Sequence, residues 1–393
     1  MKEIMMLPGP TEVAMRVIQA ACRPAISHLD VRFIAVMDET CCLLRKVFQT
    51  QSEIIPLVCS GRGGIEAALA SSLEPGEKML VISNGIFGRM MADIAKRLGI
   101  VPVVVESKLN EKLNIQDVEN RLADLEIKAI GAVHCESSTG VLNPVSEIGR
   151  LAHKHNLIFI LDCVSSLGGV DFRPDEIHAD ICITGSQKCL GSLPGLALLS
   201  VSNRMWDVFE RRISPITSFY FDLSRWRQMW IPKERGGKVM FGYRRQPITM
   251  ATHLIYCLHE ALKMIMEEGL DNRFKRHQLA AQAVREAVQA IGLEMFPEKG
   301  IESPTISAIY PPEGIPEAEL RRILREEHGI YIAGGLEELS GKIFRIGHMA
   351  NTASPACVMP TICALEFALK KIGYDVKIGK GMEAAMEIFG SNN

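Results

Sequence analysis

The stretch AIGAVHCESSTGVLNPVSEIGRLAHKHNLIFILDC, residues 129–163, decides the fold. It opens on an apolar run, crosses the polar loop ESSTG, continues as an amphipathic segment and closes on a second apolar run, LIFILDC. A pattern that changes from strand-like to helical and back reads as a βαβ unit. Working outward, the same alternation fills residues 55–200: IIPLVC then GGIEAALASSL, KMLVIS then FGRMMADIAKRLG, VPVVVES then IQDVENRLADL, and finally DICITG. Repeated units of this kind predict a mostly parallel sheet with helices on both faces, whose ligands gather at the carboxyl ends of the strands. The loops that follow these strands are SGRGG (60–64), SNGIFG (83–88), HCESSTG (134–140), DCVSS (162–166) and GSQK (185–188), and all would face one rim. Each alone also reads as ordinary turn chemistry.

Beyond Ser200 the texture changes. Residues 213–250 are irregular and aromatic, with Phe219, Tyr220, Phe221, Trp226 and Trp230, and predict a loop-rich connection over the site or a partner subunit. Two long helices follow, HLIYCLHEALKMIMEEG and RFKRHQLAAQAVREAVQAIG, then a strand TISAIYPP, a helix, two short strands (IYIAGG, KIFRIGHM) and a last long helix. The organisation expected is an N-terminal segment (1–20) packing at the active site and dimer interface, a large domain (21–254) and a smaller α+β domain (255–393).

A chain of 393 residues exceeds what one simple core supports and can enclose a deep site. A formal net charge of −2 leaves no basic excess to hold a phosphate backbone, so nucleic acid is excluded as a partner. The cysteine count is odd at 11, no CxxC pair occurs, and several thiols sit in apolar runs; free thiols in a reducing compartment follow, and no metal is expected. The start, MKEIMMLPGPTEV, is too short in apolar residues for a signal peptide, and no apolar stretch is long enough to cross a membrane. A cytoplasmic location is expected.

Lys188 ends the apolar run ICITG and precedes a Gly/Pro turn. A lysine carried to the end of a buried strand either snorkels to water or has chemical work. Its amine can form a Schiff base, and the commonest cofactor needing one is pyridoxal phosphate. That cofactor requires an acid against its ring nitrogen, and Asp162, at the end of LIFILD, suits; a turn or helix-capping aspartate is the alternative. It requires backbone N–H groups for its phosphate, and Ser60, Gly61 and Arg62 run straight into a helical segment. It requires a flat group over the ring, for which Phe87 is the candidate with Val164 on the other side; Phe87 also reads as a core aromatic. A substrate carboxylate calls for a guanidinium, and Arg345 stands in the apolar run KIFRIGHM, where a salt bridge to Glu337 or Glu338 is the competing reading.

Together PGPTEV, SGRGG, NGIFG, ESSTGVLNP, DCVSSLGG, GSQKCLGSLPGLALLS and FRIGHM resemble the class V aminotransferases of fold type I, in the alanine–glyoxylate and serine–pyruvate (serine–glyoxylate) branch. The resemblance spans residues 5–373 and is weak over 213–248. It implies an α/β fold with a mostly parallel seven-stranded sheet, helices on both faces and a smaller C-terminal α+β domain. It implies Lys188 as the Schiff-base lysine, Asp162 as the pyridinium partner, Phe87 as the stacking residue, Ser60, Gly61, Arg62 and Gln187 as phosphate contacts, Ser137 and Thr139 near the ring hydroxyl, and Arg345 on the α-carboxylate. Gly9 and Ser27 fall with the substrate. Such enzymes are homodimers with shared sites; Thr249 matches a phosphate-binding threonine that reaches the partner's site, while Gln246 stands where a tyrosine is expected. The activity implied is transfer of the amino group of a small α-amino acid, alanine or serine type, to a 2-oxo acid such as glyoxylate or pyruvate.

VSSLGG, KCLG, RIGHM and IGKGMEAAMEI are also similar to pyridoxamine–pyruvate aminotransferase, which acts on the unphosphorylated vitamer. Ser60, the glycines and Arg62 favour a bound phosphate, and Leu336 stands where those relatives carry an arginine. A lyase or desulfurase is disfavoured because Gln187, not histidine, precedes Lys188, and a non-catalytic binding protein is the remaining alternative.

Overall fold

A computed structural model describes residues 3–123, 126–240 and 243–391. Asp124 and Leu125, at the end of one expected helix, and Phe241 and Gly242, in the irregular stretch, lie outside the described residues, as do 1–2 and 392–393 at the ends of the expected domains.

The strands are β1 (Ile4–Met5), β2 (Glu53–Leu57), β3 (Lys78–Ser83), β4 (Val101–Glu106), β5 (Ile127–Val133), β6 (Cys135–Glu136), β7 (Val141–Leu142), β8 (Ile158–Asp162), β9 (Ile181–Gly185), β10 (Ala197–Val201), β11 (Ile306–Ile309), β12 (Ile330–Tyr331), β13 (Ala333–Gly334) and β14 (Phe344–Gly347). The helices are α1 (Met15–Gln19), α2 (Val31–Phe48), α3 (Gly61–Ser72), α4 (Ile86–Arg97), α5 (Ile115–Ala123), α6 (Val145–Lys154), α7 (Asn203–Glu210), α8 (Ser224–Met229), α9 (Thr252–Glu268), α10 (Leu270–Ala290), α11 (Glu317–His328), α12 (Pro355–Lys371) and α13 (Lys380–Gly390).

Seven strands form the central sheet in the order β2-β10-β9-β8-β5-β3-β4, as expected. Pairing is parallel from β9 through β4, and β10 alone runs against its neighbours β9 and β2. Strands β8, β9 and β10 are buried along their whole length, which explains why each reads as a mostly apolar run rather than an alternating one. The two edge strands carry the sheet's prolines, Pro56 in β2 and Pro102 in β4, where a missing N–H is tolerated.

Two main cores result. Phe159, Ile160, Leu161 and Ile183 belong to the first, around the sheet; Val284, Phe344, Ile346 and Leu365 belong to the second, where α10, α12 and α13 pack behind the sheet β11-β14-β13. The expected division near residue 255 falls inside α9, whose Ile255, Leu258, Leu262 and Ile265 join the first core. The N-terminal segment ties both together: β1 runs parallel to β12, and the Thr11 N–H donates to the carbonyl of Gln187 at 3.1 Å. Residues 213–250 hold only the short α8 and a single 3-10 turn among the described residues, as their composition predicts.

Candidate active site

Every loop singled out in the sequence leaves the carboxyl end of a central strand, so the topology itself brings them to one rim. There they enclose a cavity of about 330 Å³. Lys188 and Asp162 both line it, with Gly9, Ser60, Gly61, Arg62, Phe87, Ser137, Val164 and Gln187. Pro10, Ile65, Met90, Cys135 and Ser165 complete much of the wall, and none of them was anticipated.

Asp162 is the last residue of β8 and is 4% exposed. Burial pushes its carboxyl up to about 7; the Val164 N–H, which donates to Oδ1 at 2.8 Å, and the Lys188 ammonium oppose that rise, while Glu136 adds to it. An acid so placed has strong reason to acquire a cation. Lys188 follows β9, and burial lowers its ammonium from the ordinary lysine value, with Cys189, Cys135 and Asp162 pulling the other way and Arg345 reinforcing the fall. Loss of the proton makes the amine a nucleophile. Its Nζ donates to the carbonyl of Pro8. Gly9 is required beside it: its φ is +123°, and a Cβ there would collide with the lysine side chain.

Helix α3 starts at Gly61 with no side-chain cap, and the N–H groups of Gly61, Arg62 and Gly63 have no partner among the described residues. Open N–H groups at a helix start bind anions. A Cβ on Gly61 would press to 2.8 Å of Val164 Cγ2, so the glycine lets the cup close against the cavity floor. The Gln187 Oε1 atom is buried with no hydrogen-bond partner among the described residues. An uncapped helix start, a buried acid and a lysine amine on one cavity fit pyridoxal phosphate.

Arg345 lies on β14, 5% exposed, behind this cavity rather than on its lining. It does not pair with Glu337 or Glu338, which engage Arg89 at 3.1 and 2.8 Å. Instead its Nη1 donates to the Ser137 carbonyl at 2.6 Å, and its Nε and Nη2 to the Gly334 carbonyl at 2.9 and 2.8 Å. Burial lowers its guanidinium to about 10, with Glu136 resisting. A buried cation satisfied by neutral carbonyls retains its charge for an incoming anion.

Besides Arg345, three expected residues stand off the cavity. Thr139 is fully buried, its Oγ1 donating to the Glu136 carbonyl at 3.3 Å. Ser27 is exposed, with Oγ accepting from the Leu29 N–H at 3.1 Å, and Thr249 is exposed near the start of α9. Glu136 is a buried acid the sequence reading passed over; the signal was that α4 begins at Gly85-Ile86 with no capping residue of its own.

A parallel sheet whose rim presents a lysine amine, a buried acid and an open helix start defines a pyridoxal-phosphate-dependent enzyme of fold type I. The chain belongs to the aminotransferase class-V family, whose pattern matches residues 14–349. It is 34% identical to the alanine–glyoxylate aminotransferase of Rattus norvegicus over 90% of this chain and 84% of that one. Its fold is similar to the crystal structure of ureidoglycine–glyoxylate aminotransferase from Bacillus subtilis, with a TM-score of 0.93 and 32% identity, covering 99% of this chain and 98% of the other. It is similar also to that of pyridoxamine–pyruvate aminotransferase from Mesorhizobium loti, with a TM-score of 0.91 and 30% identity over 99% and 97% of the two chains. The protein is a pyridoxal-phosphate-dependent transaminase. No helix among the described residues is long and apolar enough to cross a membrane.

Proposed function

We propose that the protein transfers the amino group of a small α-amino acid, of alanine or serine type, to a 2-oxo acid such as glyoxylate or pyruvate. The observation that supports this most is the convergence of Lys188, Asp162 and the uncapped start of α3 on one cavity, with Arg345 behind it. Pyridoxal phosphate, when bound, supplies a covalent attachment point for the amine and an electron sink for the pair released at Cα. Ser60, Gly61 and Arg62 would hold the phosphate with Gln187, Phe87 would cover one face of the ring and Val164 the other, and Asp162 would hold the ring nitrogen as a cation. Ser137, on the cavity wall, would meet the ring hydroxyl.

The chain's own work is then positional and acid–base. Arg345 fixes the α-carboxylate and so turns the Cα–H bond towards Lys188. The lysine amine, its proton loosened by burial, takes the Cα proton as a general base and returns it as an acid. Pro8 to Pro10 close the cavity above the amine and keep water from it. In a homodimer, Thr249 would reach the partner's phosphate, and Gly9 and Ser27 would border the substrate. A cytoplasmic location is part of the same reading.

The likeness to pyridoxamine–pyruvate aminotransferase carries a second reading, with the unphosphorylated vitamer as substrate. The open helix start with Arg62 on the cavity wall favours a phosphate and so the first. The deciding experiment is a panel of amino donors, including alanine, serine, (S)-ureidoglycine and pyridoxamine, against glyoxylate, pyruvate and oxaloacetate. Turnover confined to pyridoxamine would overturn the first reading.

A further inference from the structure

We propose that Glu136 is a positioning residue of the transamination site, a buried carboxylate that bolts the start of α4 and its Phe87 ring to the turn whose Ser137 carbonyl holds Arg345. The carboxylate is 0% exposed and spends both oxygens on N–H and O–H donors. Its Oε2 accepts from the Phe87 N–H at 3.1 Å and the Gly88 N–H at 3.3 Å. Its Oε1 accepts from the Ser138 N–H at 3.1 Å and the Ser138 hydroxyl at 2.5 Å. The same hydroxyl accepts from the Ile86 N–H at 3.1 Å. The first three N–H groups of α4 are therefore satisfied from another part of the chain, where a helix ordinarily uses its own N-cap side chain.

Gly85, the residue at that N-cap, shows that the arrangement is built in. A Cβ there would strike the Glu136 carboxylate and come within 2.5 Å of the Ser138 Oγ. The capping side chain has been given up so that a carboxylate from the β6 turn can enter.

The consequence runs in two directions. Towards α4, the carboxylate fixes Phe87, which lines the cavity where a cofactor ring would lie. Towards the small domain, it fixes the Glu136-Ser137-Ser138 turn, and Ser137 gives its carbonyl to Arg345 Nη1 at 2.6 Å. Glu136 is also the acidic group that offsets the positive charge of Arg345, whose direct partners are all neutral carbonyls. One side chain thus sets the ring-covering group and the carboxylate-binding group relative to each other. Burial pushes the Glu136 carboxyl up, and the bonds from Ser138, Gly88 and Phe87 oppose that rise by favouring the carboxylate form; an amide in its place would point an NH2 at N–H donors.

This inference rests on the transaminase reading, and its test separates the two. The holoenzyme of Glu136→Gln is compared with the unaltered holoenzyme by visible circular dichroism of the bound pyridoxal phosphate, by its rate of dissociation and by KM against kcat for alanine with glyoxylate. The expected result is a changed dichroic band, cofactor loss faster by about tenfold or more and a raised KM, in a protein that folds with a lowered melting temperature. The effects on cofactor loss should be non-additive with those of Phe87→Leu in a double-mutant cycle, because the first acts through the second.

Unchanged dichroism, dissociation and KM in a folded Glu136→Gln protein would overturn the proposal, and so would strict additivity. If that variant does not fold, Ser138→Ala decides: it removes one bond to the carboxylate and one to Ile86, so the same changes at smaller size support the proposal and their absence overturns it. The dichroic and dissociation measurements need no substrate, so a wild-type protein inactive on the donor panel would sink the function reading alone.

Discussion

Replacing Asp162 with Asn should cost the enzyme its activity and yet stabilise the protein stripped of cofactor. Burial holds the Asp162 carboxyl at about 7, against 3.8 for an unperturbed aspartate. A raised carboxyl keeps its proton in the folded state and loses it in the unfolded state as pH climbs between these values. Folding stability therefore falls through that window and the full penalty stands above it. About three units at 1.36 kcal/mol each gives a penalty on the order of 4 kcal/mol. Asn is nearly isosteric, can still accept from the Val164 N–H, and carries no such penalty. At roughly 2.1 cal/mol/K per residue over the chain, 4 kcal/mol corresponds to a rise of about 5 °C in melting temperature. The assay is thermal unfolding of cofactor-free wild type and Asp162→Asn at pH 5 and pH 8, beside cofactor affinity and turnover. The difference should be less than half its maximum at pH 5 and near its maximum at pH 8, while the variant holds cofactor more weakly and turns over far more slowly. A variant that melts at or below wild type at pH 8, or with a pH-independent difference, would refute the reasoning.

Three other outcomes are expected. Lys188→Ala should lose the visible band of covalently held cofactor and drop in kcat by orders of magnitude, measured by spectroscopy and steady-state kinetics. Arg345→Lys keeps the charge but not the fork that grips a carboxylate, and about 1.5–3 kcal/mol for a charged hydrogen bond predicts KM for the amino donor up by roughly 10- to 100-fold, with kcat less affected. Gly9→Ala should fold, since the strain lies on the N-terminal segment, but drive its methyl into the Lys188 side chain and reduce kcat, which single-turnover measurement of the amino-donor half-reaction will show.

What could be read from the sequence was whatever the strand ends determine locally. Asp162 closes one apolar run and Lys188 follows shortly after another, and a parallel sheet delivers such residues to one rim without further information. Gly61 and its neighbours open a helix, so their N–H groups are available from the pattern alone. What escaped depended on contacts between distant parts of the chain. The Pro8 carbonyl meets Lys188 across 180 positions. Arg345 finds Ser137 across 208, and the acids expected to take it, Glu337 and Glu338, turn instead to Arg89. Thr139 carries the right residue type at the right motif position, but the tight turn around the Glu136 carbonyl draws its hydroxyl inward. Helix α9 shows the same limit at larger scale: its apolar face does not say which core it will join, and it joins that of the sheet.

The reversed direction of β10 has one more effect. The other rim loops are moored to the central sheet through only one flanking segment, since each passes next into a helix or a turn. The connection from 186 to 196 instead returns at once to the same ladder, with Gly185 opposite Ala197. Both shores of that loop are fixed, so adding or deleting a single residue within it has nowhere to dissipate and must swing the amine away. Natural variation in loop length among proteins of this architecture should therefore be least between Ser186 and Leu196.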